Sequence, residues 1–221
     1  MAGERQPGAG AMAPAAENGT GQPVYGAIAK AYDLLDLPFE YLRYRPVRRV
    51  LWQGLSGRIL DAGVGTGRNM PFYPEDADVT GIDLSAQMLS RARRRQARLG
   101  VRARLLQADA VDTGLEAGSF DAVVSSFMFC VLPDELQLPA LRELGRLTRP
   151  GGQIRVLEYT LSEHPLRRRI MRLWAPWVEF AYGARFDRHT EQYVVRAGLK
   201  LVEDRFVHRD ILRLLVMEVP R

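Results

Sequence analysis

The stretch LDAGVGTGRN, residues 60–69, decides how this chain is read. Three glycines, Gly63, Gly65 and Gly67, alternate with other residues directly after the apolar run that ends at Asp61. Glycine lets a backbone turn sharply and approach a ligand closely. A dinucleotide loop needs G-x-G-x-x-G, which would put a third glycine at position 68, where the chain has Arg68. A phosphate loop needs G-K-[ST], and the stretch contains no lysine. Both phosphate-cradling readings therefore fail on spacing. What remains is an acidic-x-G-x-G-x-G loop between a strand and a helix.

Working outward, strands and helices alternate. GRILDAG, DVTGID (78–83), ARLLQAD (103–109), FDAVVSSFMF (120–129) and GQIRVLEY (152–159) read as strands. Helical stretches are expected at about 67–73, 85–99 and 134–148. Such alternation predicts right-handed crossovers and a mostly parallel sheet. At the C-terminus, LKLVEDRFVHRD and ILRLLVMEV follow one another with no helix between them and predict an antiparallel pair at the sheet edge. Residues 24–55 predict two helices, broken near Pro38 and bent at Pro46. Residues 1–22, rich in Ala, Gly and Pro, read as a disordered tail without the apolar core of a signal peptide.

Composition bounds the partners. The 221 residues suit one domain with extensions, and 31 Lys plus Arg against 26 Asp plus Glu give a net charge of +5. Arginine supplies nearly all of that positive charge, which serves either solvated helix faces or an anionic partner. The single cysteine, Cys130, excludes an internal disulfide and a cysteine metal cluster, so no metal is expected. No run of 18 apolar residues exists, so no membrane span is expected.

The strand ends sharpen the loop. Asp83 closes the second strand, 22 residues after Asp61, where a carboxylate can accept both hydroxyls of a ribose. Met88 could cover an adenine face, and Asp109-Ala110 could meet an adenine edge. Each acid alone is equally a helix cap or a solvated turn, and Asp83 with Ser85 could simply cap the helix at 85–99. Three such ends in order are hard to explain as caps.

Together, LDAGVGTGR, TGIDLSAQML, LLQADAVD, SFDAVVSSFMFCVL and LTRPGGQIRVLEY resemble the class I S-adenosylmethionine-dependent methyltransferases, over about Arg58 to Tyr159. The resemblance implies an α/β, Rossmann-like, seven-stranded sheet, mostly parallel with the last strand antiparallel. It implies S-adenosyl-L-methionine as cofactor. Gly63, Gly65 and Thr66, with Gly67 completing the loop, would hold the aminoacyl end; Asp83 and Leu84 would meet the ribose, Met88, Asp109 and Ala110 the adenine, and Ser126 the methionine part. Asp61 would orient the loop or reach the amino group through water. The implied organisation is a helical cap at 23–54, a cofactor-binding core at 58–159, a helical acceptor-side insertion at 160–188, and a C-terminal helix with the strand pair at 189–221.

Methyl transfer from a sulfonium is an in-line displacement, so positioning supplies much of the rate and no catalytic triad is needed. An amine acceptor must be neutral when it attacks. Base-methylating relatives carry [DNS]-P-P-[YFW] after the fourth strand; SSFM stands there instead and argues against nucleic acid. Tyr25 and Tyr32 lie seven apart, on one helix face, either packing that helix or closing over the methyl group as catalytic residues. Arginines interleave with aromatics at 41–52 and again in HPLRRRIMRLWAPWVEFAYG (164–183). That pattern suits either an anionic membrane surface or a solvated two-helix cap. The chain is similar to the group holding small bacterial phospholipid N-methyltransferases, quinone C-methyltransferases and thiol methyltransferases. The expected protein is a cytoplasmic enzyme, peripheral on the inner membrane face, that methylates an amphipathic small molecule such as phosphatidylethanolamine. The alternatives are quinone, thiol or natural-product acceptors, or a non-catalytic cofactor-binding interaction protein. Glu158-Tyr159 replaces the Glu-His or Asn-His pair that often ends the fifth strand in that group.

Overall fold

The computed structural model describes residues 44–221, except for the side chains of residues 181 and 182. Its strands are β1 (Arg58–Ala62), β2 (Asp78–Asp83), β3 (Arg104–Gln107), β4 (Phe120–Ser126), β5 (Thr148–Tyr159), β6 (Lys200–His208) and β7 (Leu212–Glu218). Its α-helices are α1 (Arg45–Trp52), α2 (Ala86–Leu99), α3 (Asp134–Leu147) and α4 (Pro165–Tyr182). One seven-stranded sheet runs in the order β3-β2-β1-β4-β5-β7-β6. The pairs from β3 to β5 are parallel, and β7 is antiparallel to both β5 and β6. The expected Rossmann-like sheet is therefore present, with the antiparallel pair at its edge.

Alternation along the strands feeds two cores. Leu60, Ala62, Val123, Ile154 and Val156 pack with Leu141, Leu144 and Leu147 of α3. Ile59, Val124, Leu157 and Leu214 face the other way and pack with Val47, Leu51 and Trp52 of α1. Adjacent residues of one strand serve opposite layers because successive side chains point to opposite faces. Helix α2 begins at Ser85, whose hydroxyl accepts from the Met88 N–H, and ends at Gly100 in the left-handed region.

Two expected helices are not formed. The segment at 67–73 holds only a 3-10 turn, Met70–Phe72, because Gly67 has φ +78° and Pro71 has no N–H for a helical ladder. Between α4 and β6 stand two short 3-10 turns, Thr190–Tyr193 and Val195–Ala197, instead of a C-terminal helix. Strand β4 stops at Ser126, short of the expected 129, since Phe127 takes φ +59°. Pro46 lies in the first turn of α1, where its missing N–H costs nothing.

Candidate functional site

In an open parallel sheet, ligands sit beyond the carboxyl ends of the strands where the strand order reverses, here between β1 and β4. The glycine loop leaves β1 at this point. Gly63 and Val64 donate backbone N–H groups to the Ile82 carbonyl at 3.0 and 2.8 Å, fastening the loop to β2. Gly63 has φ +75°, and a Cβ there would lie 2.9 Å from Met128 Cβ. Gly65 has φ +54°, and among the described residues only the Gly63 carbonyl oxygen, at 4.0 Å, comes that close to a notional Cβ. The loop thus packs on one side and presents bare backbone on the other. Thr66 is buried, and its hydroxyl accepts from Arg95 at 3.3 Å.

Asp83 stands beside this bare backbone. One carboxylate oxygen accepts from Gly65 N–H at 2.8 Å and the other from Ser85 N–H at 2.9 Å. Burial raises its pKa, and the two backbone N–H groups work against that rise. The capping and ligand-binding readings of Asp83 are compatible, because each oxygen keeps a second acceptor site. Leu84 is 65% exposed, a large apolar surface beside the carboxylate, and Met88 is half-buried. Asp109 is exposed; its carboxylate accepts from Val111 N–H at 3.0 Å, and Ala110 packs against the core.

Asp61 is fully buried. It accepts from Asn69 Nδ2 at 2.9 and 3.1 Å and from the Tyr73 hydroxyl at 2.6 Å. Burial raises its pKa to about 6, against the lowering effect of the hydrogen bonds from Tyr73 and Asn69 and of the Arg48 charge. Arg48, itself buried, donates to Asn69 Oδ1 at 2.6 Å and to Ser126 Oγ at 3.1 Å, and its guanidinium lies 5.3 Å from the Phe127 ring centre. Asn69 Nδ2 also reaches Ser126 Oγ at 3.1 Å. Asp61 and Ser126, 65 positions apart in the chain, are thus brought together by Asn69, Tyr73 and Arg48, none of which the loop motif marks. Arg48 belonged to an arginine-aromatic pattern read as a surface; the fold turns it inward together with Trp52 and leaves Arg45 and Arg49 outside.

Above this network, half-buried rings converge from four segments: Tyr44, Phe127, Tyr159 and Phe186. Phe127 and Tyr159 are 5.0 Å apart, Tyr159 and Phe186 5.5 Å, and the Tyr44 and Tyr159 hydroxyls bond to each other. Tyr25 and Tyr32 lie outside the described residues.

The residues present suit an adenosyl amino acid. Bare backbone at Gly65 admits close approach, Asp83 offers a carboxylate to a diol, and Leu84 offers an apolar face. Comparison with known proteins agrees. Residues 59–152 match the family described as methyltransferase domain. The chain is 33% identical over 134 residues to a phosphatidylethanolamine N-methyltransferase from Cereibacter sphaeroides, covering 59% of this chain and 65% of that protein. It is 37% identical over 145 residues to a demethylmenaquinone methyltransferase from Thermus thermophilus, covering 62% and 64%. The chain therefore spans a little under two thirds of the length of these relatives. A solved S-adenosylmethionine-dependent methyltransferase from Thermotoga maritima superposes with a TM-score of 0.65 at 21% identity, over 90% of this chain and 99% of that one. Residues 59–152 thus match a methyltransferase domain, and the sheet that carries them has the fold of the solved S-adenosylmethionine-dependent methyltransferases. The cofactor of that class is S-adenosyl-L-methionine.

Proposed function

We propose that the protein transfers a methyl group from S-adenosyl-L-methionine to an amphipathic small molecule at an anionic membrane surface, with the amine of phosphatidylethanolamine as the leading acceptor. Helix α4 carries the reading. Leu166, Ile170, Leu173, Trp174, Trp177 and Phe180 are 47–79% exposed and fall within about a third of the helix circumference. Arg167, Arg168, Arg169 and Arg172 occupy the rest of its first half. An apolar stripe with tryptophans, beside arginines, suits insertion at headgroup depth. Among the described residues no helix is long and apolar enough to cross a membrane. The relative named for phosphatidylethanolamine supports this acceptor.

In this reading the loop face at Gly65, Asp83 and Leu84 hold the cofactor's ribose and adenine. Met88, Asp109 and Ala110 border the adenine, while Ser126, Arg48 and Asn69 hold the methionine end. The ring cluster around Phe127 and Tyr159 receives the acceptor head, because aromatic faces attract methylated ammonium groups. A second reading uses the same rings differently: they would stack a flat quinone, as the likeness to the menaquinone enzyme suggests. Incubation with radiolabelled cofactor and anionic vesicles containing either phosphatidylethanolamine or demethylmenaquinone separates them. Label in the phosphatidylethanolamine fraction is the expected result. No label there, with cofactor binding established by calorimetry, excludes that acceptor.

A further inference from the structure

Tyr73 has no role in the cofactor seat described above, yet its hydroxyl is tied to the centre of that seat. It donates to one oxygen of Asp61 at 2.6 Å. The Asp61 carboxylate is fully buried and also accepts from Asn69 Nδ2 at 2.9 and 3.1 Å. Burial favours a neutral carboxyl there, and Asp83 adds to that tendency. The Tyr73 hydrogen bond is the strongest opposing influence, ahead of Asn69 and the Arg48 charge. The ring of Tyr73 has a separate anchor: it lies 4.5 Å from the ring of Trp52, on the same helix as Arg48.

Asn69 shows what an ionised Asp61 is for. An asparagine amide has a donor end and an acceptor end, and its neighbours decide which way it points. Arg48 can only donate, and it meets Asn69 Oδ1 at 2.6 Å. An ionised Asp61 can only accept, and it faces Asn69 Nδ2. Between an anion and a cation the amide has one orientation. In that orientation Asn69 Nδ2 and an Arg48 amino group both reach Ser126 Oγ at 3.1 Å. A proton on Asp61 would turn one of its oxygens into a donor that competes with the Asn69 amide, and would remove the negative charge near Arg48. We infer that Tyr73 is a positioning residue for the cofactor: by holding Asp61 as a pure acceptor, it fixes the Asn69 amide and the Arg48 guanidinium against the methionine end. This rests on the reading in which Ser126, Arg48 and Asn69 hold that end, and it adds the residue that aims them.

The test uses the full chain and two ligands. S-adenosylhomocysteine carries the amino-acid end; 5′-methylthioadenosine has the same adenosine and sulfur without it. Tyr73→Phe removes the hydroxyl and keeps the ring on Trp52. By calorimetry this variant should bind S-adenosylhomocysteine roughly fivefold or more weakly, since a hydrogen bond to a charged group is lost. Its affinity for 5′-methylthioadenosine should stay within about twofold of the parent's, because the adenosine contacts are untouched. A merely structural role for Tyr73 would weaken both ligands alike, and that result overturns the inference. Unchanged affinity for S-adenosylhomocysteine overturns it too. Asn69→Ala separates this idea from the reading beneath it. If Asn69→Ala discriminates between the ligands and Tyr73→Phe does not, only the role of Tyr73 falls. If Asn69→Ala does not discriminate, the assignment of the methionine end falls, and the role of Tyr73 with it.

Discussion

Replacing Glu158 with glutamine should change how the stability of this protein depends on pH. Glu158, next to last in β5, is 1% exposed and lies 2.8 Å from the Thr190 hydroxyl. That hydroxyl is also 2.9 Å from Gln137 Oε1. The Gln137 amide orientation is fixed, because its Nε2 donates to the carbonyls of Phe129 and Leu132 at 2.7 and 3.1 Å. Thr190 has one proton for two acceptors. A neutral Glu158 resolves the shortage: its own O–H donates to Thr190, and Thr190 donates to Gln137. The electrostatics agree: burial is the main cause, the Thr190 hydrogen bond and Arg213 oppose it, Glu191 and Asp204 add to it, and the pKa rises from 4.5 to about 8.

The sign follows from linkage. A raised folded-state pKa means that the folded protein holds this proton more tightly than the unfolded chain. The resulting stabilisation is complete below the unfolded value of 4.5 and is lost as pH rises through about 8. At about 1.4 kcal/mol per pH unit, the loss between pH 5 and 9 is on the order of 4 kcal/mol. Glu158→Gln cannot titrate and still offers a donor to Thr190. The variant should match the parent at pH 5 and exceed its stability at pH 9 by that order. Urea unfolding followed by circular dichroism at half-unit pH steps measures the difference, in which Asp61 and every other group shared by both proteins cancels. Parallel stability profiles for the two proteins would refute the neutral carboxyl and the proton chain built on it.

Other perturbations probe the cofactor seat. Asp83→Ala should weaken binding of S-adenosylhomocysteine at least tenfold by calorimetry, since a charge-assisted hydrogen bond contributes about 1.5–3 kcal/mol. Unchanged affinity would remove Asp83 from the seat. Gly63→Ala should destabilise the fold by roughly 2–4 kcal/mol in urea unfolding, combining a left-handed alanine with a Cβ pressed on Met128 Cβ. Arg48→Leu should cost about 3 kcal/mol, because it removes the charged donor to the buried Asn69 Oδ1 and the cation that lowers the Asp61 pKa. A melting temperature within a degree of the parent would show that Arg48 is not needed there.

The sheet and the glycine loop could be read from the sequence because their determinants are local. Apolar runs such as DVTGID occupy their own strand, and β2 spans the expected residues 78–83. The positive φ angles at Gly63, Gly65 and Gly67 require glycine, so the loop announces itself in ten residues. Local pattern misled at 67–73, where Gly67 and Pro71 interrupt a stretch that otherwise reads as helix. It was silent on Asn69, Tyr73 and Arg48, and on the link from Glu158 through Thr190 to Gln137, which spans up to 53 positions. A helix face or a strand end says only that a side chain leaves the backbone in some direction. Whether Arg48 meets water or Ser126, 78 residues on, depends on how α1 packs across β4, and only long-range packing fixes which buried polar groups find one another.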